Sequence, residues 1–497
     1  MSFQLIEATI DSIHAAMRAG ELTCRELVEA YLDRIEAYDR QGPCLTSVQT
    51  VNPSALAEAD RLDAQLVATG FRGALFGIPV LLKDQAETSD MPTTYGSALF
   101  KDFVPKRDAT VVQRLRAAGA IIIAKNTISE FAQPGYHGSA FGFSRNAYDP
   151  TRVPGGSSCG TGVSVASNFG VVGVGEDTGG SVRNPASQNC LVGLRPTVGL
   201  ISRFGLLPGT PTRDTLGPMT RTVRDAAILL DVLAGYDPND PITAYSVGRM
   251  PESYASLLRT TGLQGKRLGL VRTPFATNVD TTSSDYAQVW GLIEKAMSDM
   301  ASHGAEIVDP GPIDGLLELL RRPAGGGESE AAINRYFADH ENAPARTARE
   351  IVLAPDGSVH PGHRATMAEK LGQTTDDPSY LRSLQTREEL REQTLKLMAD
   401  LRLDALAFPT LAGSAGLIDP DILTSSAPRS TSGSNGALST TTAFPSLTVP
   451  AGFTSGGLPV GLSLFGRPFS ESLLLQIAFA YEQHTTRRRP PSITASL

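Results

Sequence analysis

The chain has 497 residues, a formal net charge of −8 and 19% charged residues, which are ordinary values for a globular protein with a large core. The acidic balance excludes a broad basic face for nucleic-acid phosphates, so no nucleic-acid partner is expected. The longest apolar runs, such as 119–124, are too short to cross a bilayer, so no membrane partner is expected either.

The four cysteines, Cys24, Cys44, Cys159 and Cys190, show neither a paired spacing nor a pattern of zinc ligands. The N-terminus also shows no basic segment followed by an apolar leader. These features predict a cytoplasmic protein without a metal ion.

The N-terminal part is predicted to be helical. Thr23 and Glu26 form a capping-box pattern, and apolar side chains then recur at helical spacing. A second helix is predicted over 54–66.

From about residue 76, short apolar runs alternate with amphipathic segments. Strands are predicted at 78–82, 120–124, 171–174, 267–271 and 307–308. Helices are predicted at 110–118 and 222–235. Short apolar strands that alternate with helices predict an α/β fold, with a sheet covered on both faces.

The segment 310–403 differs in composition, because it combines several prolines with charged stretches such as 386–401 that have helical patterns. We predict that it is a variable cap inserted into the α/β part. Strand-like composition returns at 404–408 and 447–449, and 472–481 is predicted to be a last amphipathic helix.

Gly179, Gly180 and Ser181 follow the predicted strand 171–174. Glycines permit a sharp turn and a close approach of the backbone to a substrate, and successive exposed N–H groups can hold a developing oxyanion. In isolation, the same three residues are more typical of a tight turn that ends in a helix-capping serine.

A serine hydroxyl is a poor nucleophile and needs a base. None of the seven histidines lies in or beside the glycine- and serine-rich stretches. A lysine can serve as the base if burial keeps it neutral, and Lys83 ends the apolar run 78–82. A lone lysine at the end of a strand is, however, more commonly exposed.

Three segments combine glycines with the candidate serines and the candidate lysine: 155–160 (GGSSCG), 177–183 (DTGGSVR) and 77–84 (GIPVLLKD). The first two together resemble the signature block of the amidase signature family, and the third resembles its lysine segment. The resemblance continues over shorter motifs at 192–197, 214–219, 449–453 and 458–461. It covers about 50–235 and 404–483.

The resemblance implies one large α/β domain, built on a large mixed twisted sheet sandwiched between helices. Its expected parts are an N-terminal helical region (1–75) packed on the core, the signature core (76–235), an α/β extension (236–309), the cap (310–403) and a C-terminal return to the core sheet (404–497). It also implies an amidase that hydrolyses carboxylic amide C–N bonds through a serine acyl-enzyme, without a cofactor.

The family's catalytic roles carry over to matching positions. Ser181 is expected to be the nucleophile, Ser157 the bridging serine after a cis peptide bond, and Lys83 the base. The backbone N–H groups of Thr178, Gly179, Gly180 and Ser181 are expected to form the oxyanion hole. Asp177 and Arg183 are expected to support this loop.

Three positions depart from the family pattern. Cys159 replaces a usual glycine, Glu176 a usual small or hydroxyl residue, and Asn184 a commonly apolar residue. None of them removes a catalytic group. Glu176 is predicted to be structural, for example as a partner of Arg183, or else to tune the site electrostatically.

The loop 131–137 lies where the family commonly lines its acyl pocket. Phe131, Gln133 and Tyr136 are therefore the predicted substrate-binding residues, and the two aromatic rings favour an aromatic or apolar acyl group. The expected partner is a small-molecule amide, and a homodimer is left open.

Two alternatives remain open. Residues 156–160 also match G-x-S-x-G, which would make Ser158 the nucleophile of an α/β-hydrolase esterase, although 148–154 is a poor candidate for the strand that should precede it. The chain could instead be the amidase-like component of a glutamine-dependent tRNA amidotransferase, which would use the same catalytic residues inside a complex. A non-catalytic binding protein on this fold is disfavoured by the intact Lys83, Ser157 and Ser181.

Overall fold

The computed structural model describes residues 3–275, 279–311, 315–322, 327–426 and 433–495. In this part of the chain, eleven strands form one sheet and two short strands form a separate hairpin. The strands are β1 (Val48–Val51), β2 (Pro79–Lys83), β3 (Ile121–Asn126), β4 (His137–Gly138), β5 (Gly142–Phe143), β6 (Val172–Asp177), β7 (Val192–Arg195), β8 (Thr215–Thr220), β9 (Arg267–Leu270), β10 (Glu306–Val308), β11 (Ala405–Pro409), β12 (Ser446–Phe453) and β13 (Pro459–Phe465).

Helices connect and cover these strands. The α-helices of the described residues are α1 (Ile10–Ala19), α2 (Cys24–Arg34), α3 (Ala55–Thr69), α4 (Thr110–Ala117), α5 (Cys159–Ala166), α6 (Arg183–Gln188), α7 (Val223–Leu233), α8 (Ser284–Ser302), α9 (Leu316–Arg321), α10 (Ser329–Ala338), α11 (Ala348–Val352), α12 (Pro361–Ala368), α13 (Pro378–Asp400), α14 (Ala437–Thr442) and α15 (Glu471–Thr485). None of them combines the length and the apolar composition that a membrane span requires.

The sheet is mixed, in the order β1-β3-β2-β6-β8-β7-β12-β13-β11-β9-β10. β2 pairs in parallel with β3 and β6, and β9 pairs in parallel with β10 and β11. The other neighbouring strands are antiparallel. This arrangement confirms the predicted α/β fold with a large mixed sheet.

Both faces of the sheet are covered at its centre. Successive side chains of a strand point to opposite faces, and every residue of β2, β3, β6 and β8 is buried. Helix α5 contacts β2, β6 and β8, while α7 contacts β6, β7 and β8. Helices thus exclude water from the strands that carry the predicted catalytic segments.

Most of the elements predicted from the sequence are present. The capping box of Thr23 and Glu26 opens α2, with both reciprocal hydrogen bonds formed. The strands predicted at 78–82, 120–124 and 171–174 correspond to β2, β3 and β6. The apolar runs therefore located the three parallel strands β3, β2 and β6.

Strand β8 was not predicted from the sequence, because Gly217 and Pro218 lower its strand propensity. This strand nevertheless lies between β6 and β7. A Cβ atom at Gly217 would lie 1.9 Å from the backbone oxygen of Leu194 on β7. The glycine therefore allows a close approach of two strands and is compatible with a central position.

In the described part of the segment 310–403, helices α9–α13 are present and no strand joins the sheet. Helix α13 begins at Pro378, earlier than the predicted 386. Phe337, Ile351 and Met367 of this segment pack with Phe100 and Phe131 of the core in one apolar cluster. Residues 312–314 and 323–326 lie outside the described residues, and the proposed subdivision of the chain stays a prediction.

The start of α5 is tightly packed against β1 and the end of β3. A Cβ atom at Gly160 would lie 2.2 Å from the Ser47 backbone oxygen and 2.5 Å from the Thr127 nitrogen. These neighbours are mainly backbone atoms, which cannot move aside without shifting a strand. The helix that begins directly after Ser157 and Ser158 is therefore held in a fixed position.

Gly160→Ala is expected to lower the free energy of unfolding by about 1–3 kcal/mol, because it overpacks this contact. The measurement is urea-induced unfolding of the variant and the wild type. Gly291→Ala is the matched control, since Gly291 lies within α8 and has no neighbour within 4 Å of an added Cβ. It should raise the same free energy by up to about 1 kcal/mol through helix propensity. Equal effects of both changes would contradict the tight packing of α5.

Candidate active site

Lys83 is the last residue of β2 and is only 1% exposed. Its Nζ lies 2.9 Å from Ser157 Oγ, 2.9 Å from Glu176 Oε2 and 3.2 Å from the Glu176 backbone oxygen. A lysine at the end of a strand is usually exposed, but Lys83 is buried. The structure brings Lys83 and Ser157 into direct contact in a buried site.

Ser157 follows a cis peptide bond to Gly156, as the family resemblance implies. Its backbone oxygen accepts a hydrogen bond from the Ser129 N–H at 3.0 Å. A Cβ atom at Gly156 would lie 1.7 Å from the Gly135 backbone oxygen. This position therefore requires glycine, because the loop after β3 passes directly over it.

Ser181 lies in the loop between β6 and α6. It lines a cavity of about 190 Å³ together with Gly156, Thr178 and Gly179. Its backbone oxygen accepts a hydrogen bond from the Ser158 N–H at 3.3 Å, which ties this loop to the segment of Ser157. The three predicted catalytic residues thus come from three segments that meet at one edge of the sheet.

Asp177 organises the loop that carries Ser181. Its carboxylate accepts the N–H groups of Gly180 at 2.8 Å and Val182 at 3.1 Å, and it forms buried ion pairs with Arg183 at 3.1 Å and Arg195 at 2.9 Å. Burial alone would raise the pKa of Asp177, but the two guanidinium groups hold this pKa well below its ordinary value. The loop is therefore built around a buried carboxylate.

Two details of this loop differ from the predictions. The Gly180 N–H, one of the predicted oxyanion donors, instead donates to Asp177 Oδ1, and Gly180 has a positive φ of 122°. Arg195 supports the loop as directly as Arg183 does, although no role was predicted for it. It lies within the motif 192–197, but only the pairing of β7 with β8 in the sheet brings it to Asp177.

The predicted pairing of Glu176 with Arg183 is wrong. Glu176 pairs with Lys83 at 2.9 Å, and the two side chains are 0% and 2% exposed. Glu176 and Asp177 are successive residues of β6 and so point to opposite faces, and Arg183 contacts Asp177. Burial raises the pKa of the Glu176 carboxyl above its ordinary value, although the charge of Lys83 opposes this rise.

The Thr178 side chain joins Glu176 to a second carboxyl group. Thr178 Oγ1 lies 2.7 Å from Glu176 Oε1 and 2.6 Å from Asp214 Oδ1. Asp214 also accepts the N–H groups of Gly209 at 2.8 Å and Thr210 at 2.9 Å. A continuous polar chain thus runs from Ser157 through Lys83, Glu176 and Thr178 to Asp214.

The predicted substrate-binding residues face two neighbouring cavities. Phe131 and Gln133 line the cavity of Ser181, whereas Tyr136 lines an adjoining cavity of about 430 Å³. Gly156 and Asn184 line both cavities. The loop 131–137 therefore borders two cavities, which are joined at Gly156 and Asn184.

The cap contributes a residue that was not predicted from the sequence. Lys370 follows α12 and lines the cavity of Ser181, with its Nζ 3.4 Å from Gln133 Oε1. Burial lowers the pKa of Lys370. No motif surrounds this lysine, so its place at the site depends on how the cap packs, which the sequence pattern did not reveal.

Ser158 and Cys159 face the protein interior. Ser158 Oγ contacts the backbone of Glu176 at 3.2 and 3.3 Å and is fully buried, and it lines neither of the two cavities. Cys159 Sγ lies 3.6 Å from Ser144 Oγ and 3.6 Å from the Thr127 oxygen. The arrangement gives no support to Ser158 as the nucleophile of an α/β-hydrolase.

Three buried histidines, His137, His360 and His363, form the group in the described residues that could hold a metal ion, with ring nitrogens within 4.8 Å of one another. However, the rings of His137 and His363 stack at 4.4 Å with an interplanar angle of 18°. Metal-binding lone pairs lie in the plane of each ring, so two stacked rings do not converge on one ion. His360 Nε2 also lies 2.8 Å from the Ile422 oxygen. The residues do not suit a metal ion.

Comparisons with known proteins identify the family. The family model described as Amidase matches residues 26–475. The chain is 33% identical to a probable amidase of Arabidopsis thaliana, over 99% of this chain and 93% of that protein. It is also 34% identical to a glutamyl-tRNA(Gln) amidotransferase subunit of Acaryochloris marina, over 96% and 98% of the two chains.

Solved structures show the same relationship. The native peptide amidase of Stenotrophomonas maltophilia is 37% identical, with a TM-score of 0.82 over 98% of this chain and 99% of that chain. The corresponding glutamyl-tRNA(Gln) amidotransferase subunit of Thermotoga maritima is 25% identical, with a TM-score of 0.75 over 100% of each chain. The chain therefore belongs to the amidase signature family and is a hydrolase that acts on amide C–N bonds.

Proposed function

We propose that the protein hydrolyses its amide substrate through an acyl-enzyme on Ser181, with Ser157 and Lys83 as the proton relay. The observation that carries this proposal is the buried 2.9 Å contact between Lys83 Nζ and Ser157 Oγ, beside the cavity that Ser181 lines. A buried amine next to a hydroxyl is suited to accept a proton when it is neutral.

In the first half-reaction, the Ser181 hydroxyl gives its proton to Ser157 while Ser157 gives its own to Lys83. The Ser181 oxygen attacks the amide carbon, and the N–H groups of Thr178, Gly179 and Ser181 stabilise the oxyanion. Lys83 then returns a proton through Ser157 to the leaving nitrogen as the C–N bond breaks. Water attacks the resulting ester by the same relay and releases the acid.

The remaining site residues support this sequence of steps. Gly180 contributes its backbone conformation, because its N–H donates to Asp177, and Asp177 with Arg183 holds the loop in place. Phe131, Gln133 and Tyr136 bind the substrate in our proposal, and the apolar rings favour an aromatic or apolar acyl group. The chemistry requires no metal ion and no other cofactor.

The alternative, a component of a glutamine-dependent tRNA amidotransferase, is favoured by relatives of that name. Their sequence identity to this chain is close to that of the plant amidase and does not separate the two hypotheses. Structural similarity is higher to the peptide amidase than to the amidotransferase protein of Thermotoga maritima, which favours an amidase that works without other chains. A homodimer stays a prediction, and the four free cysteines support the proposed cytoplasmic location.

Ser181→Ala is expected to fold as the wild type does and to lose amide hydrolysis by a factor on the order of 10⁴ or more, because no acyl-enzyme can form. The measurements are ammonia and amine release from a panel of amides, and covalent labelling by a fluorophosphonate located by mass spectrometry. The wild type, purified as a single chain, should be active and labelled on Ser181.

Ser158→Ala is the control for this experiment, because Ser158 is buried beside the site and would be the nucleophile of an α/β-hydrolase. It should retain labelling on Ser181. Labelling of the wild type on Ser158 would contradict the proposed nucleophile. Activity that appears only together with co-purifying chains would favour the amidotransferase hypothesis.

Lys83→Met is expected to slow fluorophosphonate labelling of Ser181 by about 10²–10⁴-fold, the usual contribution of a general base. Lys125→Met is the matched control, because Lys125 is equally buried on the neighbouring strand β3 and pairs with Asp84 at 3.1 Å. The control should lower thermal stability with little effect on the labelling rate of the folded protein. A folded Lys83→Met protein with near-normal labelling would exclude the relay.

Tyr136→Ala is expected to lower kcat/KM for amides with a large apolar acyl group by roughly 10- to 100-fold, because a buried aromatic contact is worth about 1.5–3 kcal/mol. The effect on acetamide, which is too small to reach Tyr136, should be slight. Steady-state kinetics with both substrates provide the measurement. A similar loss on both substrates would indicate that Tyr136 supports the loop and does not bind the acyl group.

A further inference from the structure

The pair formed by Lys83 and Glu176 raises the question of which group holds the proton. The proposed relay needs a neutral Lys83, yet a lysine beside a carboxylate at 2.9 Å is ordinarily an ammonium ion. The two arrangements, an ion pair or an amine beside a carboxylic acid, contain the same number of protons. Hydrogen-bond geometry around the carboxyl group can therefore distinguish them.

The contacts of the Thr178 hydroxyl distinguish the ion pair from the neutral pair. Its Oγ1 is within hydrogen-bond distance of two carboxyl oxygens, Glu176 Oε1 at 2.7 Å and Asp214 Oδ1 at 2.6 Å. A threonine hydroxyl has one proton to donate. If both carboxyl groups were ionised, one of these short contacts would join two acceptors. A proton on one carboxyl group makes both contacts hydrogen bonds.

The surroundings indicate which carboxyl group holds this proton. Asp214 accepts backbone N–H groups from Gly209 and Thr210, and such donors favour the charged form of a carboxylate. The side-chain contacts of Glu176 are those with Lys83 and Thr178. Glu176 is also fully buried, which favours its neutral form.

We propose that Glu176 is a carboxylic acid in the resting enzyme and holds the proton that Lys83 must lack to act as the base. This inference rests on the proposed function of Lys83 and deepens it. Glu176 Oε1 donates to Thr178, and Thr178 donates to Asp214. The two N–H bonds of the Lys83 amine face Glu176 Oε2 and the Glu176 backbone oxygen, while its lone pair faces Ser157.

Every short contact in this chain then joins one donor to one acceptor. During acylation, Lys83 gains the Ser181 proton through Ser157 and becomes an ammonium ion beside the neutral Glu176. The same proton goes to the leaving nitrogen, so that the pair returns to its starting state. Glu176 does not touch the reacting atoms and is a positioning residue that sets the protonation state of the base.

Other titratable or charged groups surround this pair and bear on its pH dependence. They are Asp214, Asp177, Arg183, Arg195, Cys159 and Lys370. Asp177 is compensated by its two arginines, and burial raises the pKa of the Cys159 thiol, which keeps it neutral. Asp214 is the carboxyl group that the polar chain joins to Glu176, through Thr178.

The test measures the rate of fluorophosphonate labelling of Ser181 against pH, which requires no knowledge of the natural substrate. The acidic limb reports the addition of a proton to the pair, which converts Lys83 to an ammonium ion. Glu176→Gln mimics the neutral acid, because its amide can donate to Thr178 and accept from Lys83. We expect the limb of this variant to stay within about half a pH unit of the wild type.

An ionised Glu176 predicts a different result. Its replacement by an amide would then remove an opposite charge 2.9 Å from Lys83, and a loss of this kind shifts a titration by about 1–3 pH units. A limb displaced by one unit or more would therefore overturn the proposal. Glu471→Gln is the matched control, because Glu471 is an equally buried carboxyl group outside the site, and it should leave the limb unmoved.

A second variant, Thr178→Val, decides the question if Glu176→Gln does not fold. It removes the hydroxyl that accepts a hydrogen bond from the Glu176 acid and keeps the backbone N–H, so that the proton returns to Lys83. The resting pair must then lose this proton before Lys83 can act as the base, and the acidic limb, which in this variant reports that loss, moves to higher pH. An unmoved or lowered limb would overturn the proposal. Absence of wild-type labelling on Ser181 would instead contradict the proposed function itself, which separates the two failures.

Discussion

Strands β2 and β6 run in parallel, with Leu82 opposite Val174, and both end at the same edge of the sheet. Because of this pairing, Lys83 leaves the sheet beside Glu176 and Asp177, although the two segments are far apart in the chain. Successive residues of β6 point in opposite directions. Glu176 therefore meets Lys83, while Asp177 meets Arg183 and Arg195 on the other side. The candidate base and the two arginines that support the Ser181 loop therefore contact opposite faces of one strand.

This arrangement places several charges in an interior from which water is excluded. A buried charge is costly unless it is paired and hydrogen-bonded, and removing one partner leaves the other uncompensated. The loop of Ser181 is thus stabilised by the same ion pairs that determine its shape. Cys159 and Asn184, by contrast, contact their surroundings through uncharged groups, with Asn184 Oδ1 accepting from Ser434 at 3.0 Å. Departures from the family pattern at these two positions therefore leave the charge balance of the site intact.

The sequence allowed the prediction of features that are local or carried by a motif. The apolar runs located β2, β3 and β6, and the signature residues led to Lys83, Ser157 and Ser181 as candidates. Contacts between distant segments were harder to predict. The partner of Glu176 depends on which face of β6 it occupies, and Lys370 reaches the cavity only through packing of the cap. The histidine cluster joins His137 to His360 and His363, which no local pattern connects.

Removing the proton from an isolated lysine at pH 7 costs roughly 4–5 kcal/mol, because pH 7 lies more than three units below the ordinary lysine pKa and each pH unit corresponds to about 1.36 kcal/mol. Burial of a lysine supplies part of this energy, because it disfavours the charged form. In this chain the proton can pass from Lys83 to Glu176 without leaving the buried cluster, so the net charge of the pair does not change. Burial destabilises a pair of charged groups more than a pair of neutral groups. The protonated Glu176 carboxyl group also donates a hydrogen bond to the Thr178 hydroxyl. The departure at Glu176 thus offers an internal route to the neutral base that the proposed relay requires.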